Sequence, residues 1–315
     1  MTAVELHKLN GDTSWLVRLP RSTRKHPDAH SSSHAAFYNL LLDPWLDPTP
    51  QIDGSPLFSR QTRIEPAAFA SIVQLDRWLH TQGGQIDAIL FSHPFSDHVH
   101  PQTVTDAESL AVLRRVMVFT TGDSLSALRG LKLGLDSEKV VNLSSYAFRQ
   151  GTDQGEVLPE GIAIQHLKAR DWAVSPAWNK LHGGILVSCS NGEQPVDILY
   201  SPHGVTPTSL PEELKEAGKG KRVLIHSFDR QTLPLIGIVA CGFPNVLELI
   251  PAWRPDVVLA THDENKKGEG IVGRMLRREV FGLELAQRLV KDRYPEQSES
   301  CTLTQLAPGE SIRIE

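Results

Sequence analysis

Ala88-Ile89-Leu90-Phe91, followed by Ser92-His93-Pro94-Phe95-Ser96-Asp97-His98, is the stretch on which the reading of this chain turns. A short apolar run bounded by turn residues reads as a buried strand. The turn after it places two histidines and an aspartate within six positions. Irregular backbone lets neighbouring side chains converge, where a continued strand would alternate them between faces. Neutral imidazole and carboxylate are the donors that hold zinc-like ions, and a catalytic site needs three of them plus a water. The segment therefore predicts a metal site at a strand end.

The segment also resembles the metallo-β-lactamase superfamily, whose hallmark is His-x-His-x-Asp-His after a buried strand. His93, Asp97 and His98 match the first, third and fourth marked positions. Phe95 stands at the second, where the superfamily has a metal-binding His. The resemblance implies an α/β fold, the αββα four-layer sandwich, with metals at one edge between the sheets and more ligands from later strand ends. The run Asp256–His262 looks like the last superfamily motif, whose His completes one metal position. The run Asp197–His203 resembles the strand that usually ends in a metal-bridging Asp, with His203 in its place. The run from Gly161 to Trp172 resembles the third motif. Its alternating Ile162, Ile164 and Leu167 put Asp171 at the ligand position, with His166 as the alternative. Leu40-Leu41-Leu42-Asp43 resembles the superfamily strand ending in an Asp that orients a ligand histidine through its free N–H. The plainer reading of Asp43 is a cap on the turn before Pro44.

On this resemblance the position built from Asp97, His98 and His262 keeps all its ligands. The partner position keeps His93, loses a His to Phe95, and depends on Asp171. His203 as a neutral imidazole has one free lone pair and cannot bridge two cations. The expectation is one tightly held Zn²⁺ per chain, with a second metal on His93 and Asp171 left open. Mn²⁺ or Fe²⁺ would suit a carboxylate-rich set as well. His100 is expected at the surface, and His7, His80, His182 and His226 are expected to be structural.

A zinc ion with an open position brings the pKa of a bound water down to about 7. The resulting expectation is a metal-dependent hydrolase in which Asp97 orients the water or carries its proton, and His203 is the other candidate acid. Phe95, Trp172 and Trp178 are expected to line an apolar pocket suited to a small neutral ring, so the substrate is read as a lactam, lactone or cyclic carbamate, with detoxification as the role. A degenerate, non-catalytic binding protein is the alternative, as is a hydrolase of another ester, thioester or phosphodiester. No GxSxG occurs, and Gly218-Lys219-Gly220-Lys221 lacks the full phosphate-loop pattern.

The wider chain fits this reading. Its 315 residues, 40% hydrophobic and 22% charged, can build a sizeable core, read as one domain over 1–315 with two similar halves meeting near 150–160. Residues 21–36 read as a mobile surface loop holding His26, His30 and His34. A formal net charge of −5 argues against a nucleic-acid partner. Three cysteines without CxxC spacing fit a reducing compartment. No apolar run approaches the roughly 18 residues that span a bilayer. The first 20 residues carry charges throughout, so no secretory leader is read and a cytoplasmic location is expected. Strands are predicted at Val4–Leu9, Trp15–Leu19, Tyr38–Leu42, Val116–Thr120, Val140–Leu143, Gly161–Leu167, Gly184–Cys189, Val196–Tyr200, Val223–His226 and Val257–Thr261. Helices are predicted at Ala67–His80, Ser124–Leu133, Val246–Trp253 and Arg274–Lys291, with an edge strand at Ser311–Ile314.

Overall fold

A computed structural model describes residues 3–22, 35–146, 157–169, 180–216, 220–234 and 236–315. The 21–36 loop falls mostly outside these residues, as does most of the 150–160 boundary.

Two sheets carry the architecture. The first runs in the order Ser311–Ile314, Val4–Lys8, Trp15–Pro20, Phe37–Leu42, Ala88–Phe91, Met117–Thr120, Val140–Asn142. The second runs Thr302–Thr304, Val257–Ala260, Lys221–His226, Val196–Ser201, Gly183–Cys189, Ile162–Lys168. Side chains alternate between faces along a strand, so each strand feeds two layers. Ala88 and Leu90 turn inward to join Leu6, Trp15, Ile185, Ile198 and Ile225 between the sheets. Ile89 and Phe91 turn outward, where they meet Ile72, Leu75 and Leu79 of the helix Ile72–Thr81 and Val112 and Leu113 of Ala107–Arg115. The second sheet repeats the scheme. Its Leu186, Leu199 and Leu224 pack outward on Phe243, Val246 and Ile250 of the helix Phe243–Trp253 and on Ala286 and Val290 of Leu283–Arg293. Helix, sheet, sheet and helix stack in that order, the αββα sandwich expected.

Strand directions decide where the chemistry sits. Phe37–Leu42, Ala88–Phe91 and Met117–Thr120 are parallel, with Leu42 opposite Leu90. Val196–Ser201, Lys221–His226 and Val257–Ala260 are parallel in the second sheet. In sheets of this kind sites form beyond the carboxyl ends of the strands. Asp43, the His93–His98 turn, His203 and His262 each follow such an end.

The predicted helix over Arg274–Lys291 is broken into Gly270–Met275, a strand Arg277–Glu279 and Leu283–Arg293. The strand pairs with Arg230–Leu233, and Gly282 caps the helix that follows. Tertiary pairing there overrides local helix propensity. The hairpin Gln51–Asp53/Ser59–Thr62 carries too few apolar residues for a periodic signal, the four-residue strands of Arg230–Leu233/Gly237–Ala240 are too short for one, and neither hairpin was foreseen. Among the described residues, no helix is long and apolar enough to cross a membrane.

Candidate metal centre

Five side chains from three strand ends gather in two adjoining triads that share His98. His93, Asp97, His98, His203 and His262 are all at most 5% exposed. They form two donor triads, His93–His98–His203 and Asp97–His98–His262, whose ligand atoms lie within 4.8 Å of one another in each.

The hydrogen bonds around the ring nitrogens fix which atoms face inward. His203 Nδ1 lies 3.1 Å from the Val239 carbonyl, which can only accept, so Nδ1 carries the proton and Nε2 keeps its lone pair. His98 Nδ1 lies 2.7 Å from Asp43 Oδ2 and donates to it, which in the neutral ring leaves Nε2 bare. Ser92 Oγ donates its one proton to Asp43, so at 2.7 Å from His93 Nδ1 it accepts, and a third bare Nε2 results. Yet His98 Nε2 and His203 Nε2 are 2.9 Å apart. Two lone pairs that close repel unless a proton or a metal ion lies between them. Donors held about 2.05 Å from a common ion lie about 2.9 Å apart at right angles and about 4.1 Å apart across it. The contacts of 3.1 Å between His262 Nε2 and Asp97 Oδ2, and 3.8 Å between His98 Nε2 and Asp97 Oδ1, fall inside that range. Asp97 Oδ1 and His262 Nδ1 are buried without a hydrogen bond. The donor set fits a divalent ion.

Protonation states agree. Burial, reinforced by neighbouring histidines, pushes His93 and His203 well below the ordinary imidazole value. Burial opposes ionisation of Asp97, but His98, His262 and Lys266 hold it well below the carboxylate range. His98 goes the other way. Burial disfavours its cation, yet Asp43 and Asp97 together raise it, a pull for positive charge at Nε2 that an ion can satisfy.

Asp43 is the hub behind His98. Its carboxylate accepts from Ser92 N at 2.7 Å, from Ser92 Oγ, and from Tyr200 OH at 2.8 Å, besides His98. That arrangement, at a positive φ of 41°, rules out the plain turn-cap reading. His262 is also left-handed, at φ 59°. Strained conformations of this kind are held where the surroundings over-determine them, here by His262 N donating to Asp12 O at 2.9 Å. Gly204 lets His203 turn: at φ +114° a Cβ would meet Cys241 Cβ at 2.7 Å.

Beside the donors opens a cavity of about 170 Å³. Phe58, Phe95, Leu181, Leu233, Val239 and Leu276 form much of its wall, and Asp97, His203, His262, Asp53 and Lys266 give it polar points. Asp53, held to Ser96 N at 3.0 Å, is raised by burial and by Asp97. A larger cavity of about 530 Å³, bordered by Asp263, Glu264 and Gln305, shares none of the five donors.

Protein-family models and curated proteins give no sequence match to the chain. Solved structures do match. An isothiocyanate hydrolase from Delia radicum gut bacteria aligns at TM-score 0.59 and 13% identity, covering 99% of each chain. A possible metal-dependent hydrolase from Veillonella parvula DSM 2008 aligns at 0.58 and 14%, covering 99% of this chain and 100% of that one. CmlA, a diiron β-hydroxylase from Streptomyces venezuelae, aligns at 0.54 and 15%, covering this chain fully but 55% of its own. Two sheets between helices, with the His93–His98 turn at their shared edge, decide the architecture. The chain has the metallo-β-lactamase fold.

Within the metallo-β-lactamase fold, the structure brings together His93, Asp97, His98, His203 and His262, with Asp43 behind His98. Phe95, in place of the superfamily histidine, lines the cavity with its ring 6.2 Å from that of His203. Asp171, Trp172 and Trp178 lie outside the described residues. His166, the alternative to Asp171, points its Nδ1 at Ser144 Oγ, 2.9 Å away, and belongs to neither triad. The surface placement expected for His100 is wrong. His100 is fully buried, stacks 5.4 Å from Trp45, and its Nδ1 caps the helix Pro101–Thr105 through Thr103 N. A metal turn that leads straight into a helix must cap it, and the nearest polar side chain does so.

Four residues near the site went unread in the sequence. Tyr200 is the last residue but one of the strand Val196–Ser201 and reads as core. Asp12 lies in an Asn-Gly-Asp turn, and Asp53 and Lys266 belong to no motif.

Proposed function

We propose that this protein is a metal-dependent hydrolase that opens small, neutral cyclic amides, esters or carbamates of the lactam and lactone type. The observation that carries the reading is the gathering of His93, Asp97, His98, His203 and His262 into two donor triads that share His98, beside an apolar cavity. His98 Nε2 belongs to both triads while its Nδ1 is committed to Asp43. One nitrogen lone pair serves one ion, which favours a single tightly held metal. Zn²⁺ suits these nitrogen and oxygen donors. When bound, it supplies Lewis acidity and nucleophilic hydroxide at neutral pH.

The chain's own groups do the rest. Asp97 is placed to orient the attacking water and to pass its proton towards the leaving nitrogen or oxygen. His203, with Nδ1 anchored on Val239, turns Nε2 inward as a ligand, which leaves Asp97 and Asp53 as the carboxyl groups available for proton transfer at the cavity. The apolar wall with Phe95 binds a ring and excludes water. Only one cation, Lys266, lines the cavity among the described residues, so it lacks the several cationic clamps that a phosphodiester would call for.

The test is a screen of zinc-loaded protein against lactams, lactones, cyclic carbamates, a thioester, a phosphodiester and an isothiocyanate, the substrate class named for one structural neighbour. Turnover of a cyclic amide or ester, abolished by a chelator and restored by zinc, is expected. Turnover of only the thioester, phosphodiester or isothiocyanate would replace the substrate class. Metal binding without turnover of any would favour the non-catalytic reading.

A further inference from the structure

The exposed apolar side chains of this chain are unevenly placed. Nine large ones stand in solvent among the described residues. Five of them, Leu57, Phe58, Ile236, Ile271 and Met275, belong to the three elements that frame the cavity beside the metal donors. Leu57 and Phe58 lie in the loop of the hairpin Gln51–Asp53/Ser59–Thr62, Ile236 in the turn of Arg230–Leu233/Gly237–Ala240, and Ile271 and Met275 on the short helix Gly270–Met275. Single apolar residues scattered over a surface are ordinary, but a contiguous group marks a place where something apolar binds.

Backbone bonding fixes these elements against one another. Ile271 N donates to Leu57 O at 3.1 Å, and Val272 N to Phe58 O at 2.9 Å. Gly270, at φ +77°, passes so close that a Cβ would meet the Phe58 carbonyl oxygen at 2.8 Å. On either side of the short helix, Lys267–Glu269 pairs with Ser59–Thr62 and Arg277–Glu279 pairs with Arg230–Leu233. Residues three and four apart share a helix face, so Ile271, Arg274 and Met275 stand outward together, all exposed. Val272 and the following Leu276 line the cavity instead. Phe58 and Ile236 are cavity wall and yet 47% and 41% exposed, so the cavity opens within the apolar group.

Charge narrows what covers this face. Arg60, Lys267, Arg274 and Arg277 are exposed on the same elements, against Glu279 and the half-buried Glu269. Glu269 is shared by two of these cations, Arg60 at 3.5 Å and Lys267 at 3.2 Å. The face is thus positive on a chain whose formal net charge is −5. Apolar side chains among Lys and Arg suit an anionic lipid surface, where the former enter the headgroup boundary and the latter meet phosphates. A second copy docked face to face would set the same cations against each other. A substrate held in the cavity would leave Leu57, Ile271 and Arg274 uncovered, since none of the three lines it.

We propose that this face docks on an anionic lipid surface, with Leu57, Ile271 and Met275 entering the headgroup layer and the cavity opening onto it. The protein lies on the bilayer without crossing it. Apolar substrates then enter the cavity from the lipid and are spared a passage through water. The docking is independent of which bond the metal centre breaks.

The experiment is co-sedimentation of the full-length protein with sucrose-loaded vesicles, made of phosphatidylcholine alone or of equimolar phosphatidylcholine and phosphatidylglycerol. The wild type is expected to sediment with the mixed vesicles and to be released as salt is raised. Leu57→Ser combined with Ile271→Ser should lower the partition coefficient at least about tenfold. Arg274→Glu combined with Arg277→Glu should remove the preference for the anionic vesicles. All four side chains are exposed, and near-UV circular dichroism checks that each variant keeps the native packing. A wild type that stays in the supernatant with both vesicles would overturn the proposal. So would partition that neither pair of substitutions alters, which would place the contact elsewhere. Sedimentation velocity without lipid covers the remaining occupant: a dimer that the Leu57 and Ile271 substitutions dissociate would assign the face to a second copy and overturn the lipid reading.

Discussion

At the scale of single residues, the metal-site reading depends on which nitrogen of each histidine faces inward. The His98 ring is turned by Asp43, and Asp43 is in turn held by Ser92 and Tyr200. Asp43→Asn keeps the shape but replaces a carboxylate acceptor by an amide, so His98 loses both orientation and basicity. Zinc affinity in a chelator competition is expected to fall about 10–100-fold, as for other groups that support a metal-bound histidine, and an unchanged affinity would break the link between Asp43 and the site. His262→Ala and His98→Ala are expected to lose bound metal altogether. His100→Ala is a contrasting case, because its imidazole caps a helix and packs on Trp45 without meeting the donors. It should cost about 0.5–2 kcal/mol of stability in urea unfolding while the metal content stays at the wild-type level.

At the scale of elements, legibility in the sequence followed the strength of the hydrophobic pattern. Ala88–Phe91, Val196–Ser201 and Val257–Ala260 are mostly buried on both faces and mostly apolar, and a donor follows the end of each. With the resemblance to the metallo-β-lactamase superfamily, their order along the chain led to His93, Asp97, His98, His203 and His262 being read as one site. The polar hairpin Gln51–Asp53/Ser59–Thr62 has no such signal, since its first strand alternates Gln, Ile and Asp, and with it Asp53 was missed. Asp12 and Lys266 were missed for another reason. Their place depends on pairing across hundreds of positions, Asp12 against His262 and Lys266, and no local pattern encodes that. Phe95 offers a test at this scale. Phe95→His restores the superfamily ligand on the turn and would raise the metal stoichiometry if a missing donor is all that limits the partner position. An unchanged stoichiometry would mean that His203, in place of a carboxylate, excludes a second ion.

At the scale of the whole molecule, the sandwich keeps several histidines neutral in its interior, and this should be visible in its stability. Burial pushes both His100 and His166 down to about 4. A histidine whose folded-state pKa is depressed takes up its proton more readily when unfolded, so stability is full above about 6.5 and falls as the pH drops towards 4. Each contributes up to roughly 3 kcal/mol to that loss. Urea unfolding of the metal-free protein is expected to show a midpoint that declines steadily over this window, with a shallower slope in His166→Gln, and a flat profile would mean that these rings are hydrated in solution. The same sandwich turns the carboxyl ends of strands from both sheets towards one edge, and the account stands on what that edge binds. Elemental analysis of protein purified without added metal, then reconstituted with zinc and desalted, measures it directly. Close to one zinc per chain is predicted. No retained metal after reconstitution would contradict the central claim, and two per chain would contradict the single-ion site that His98 defines.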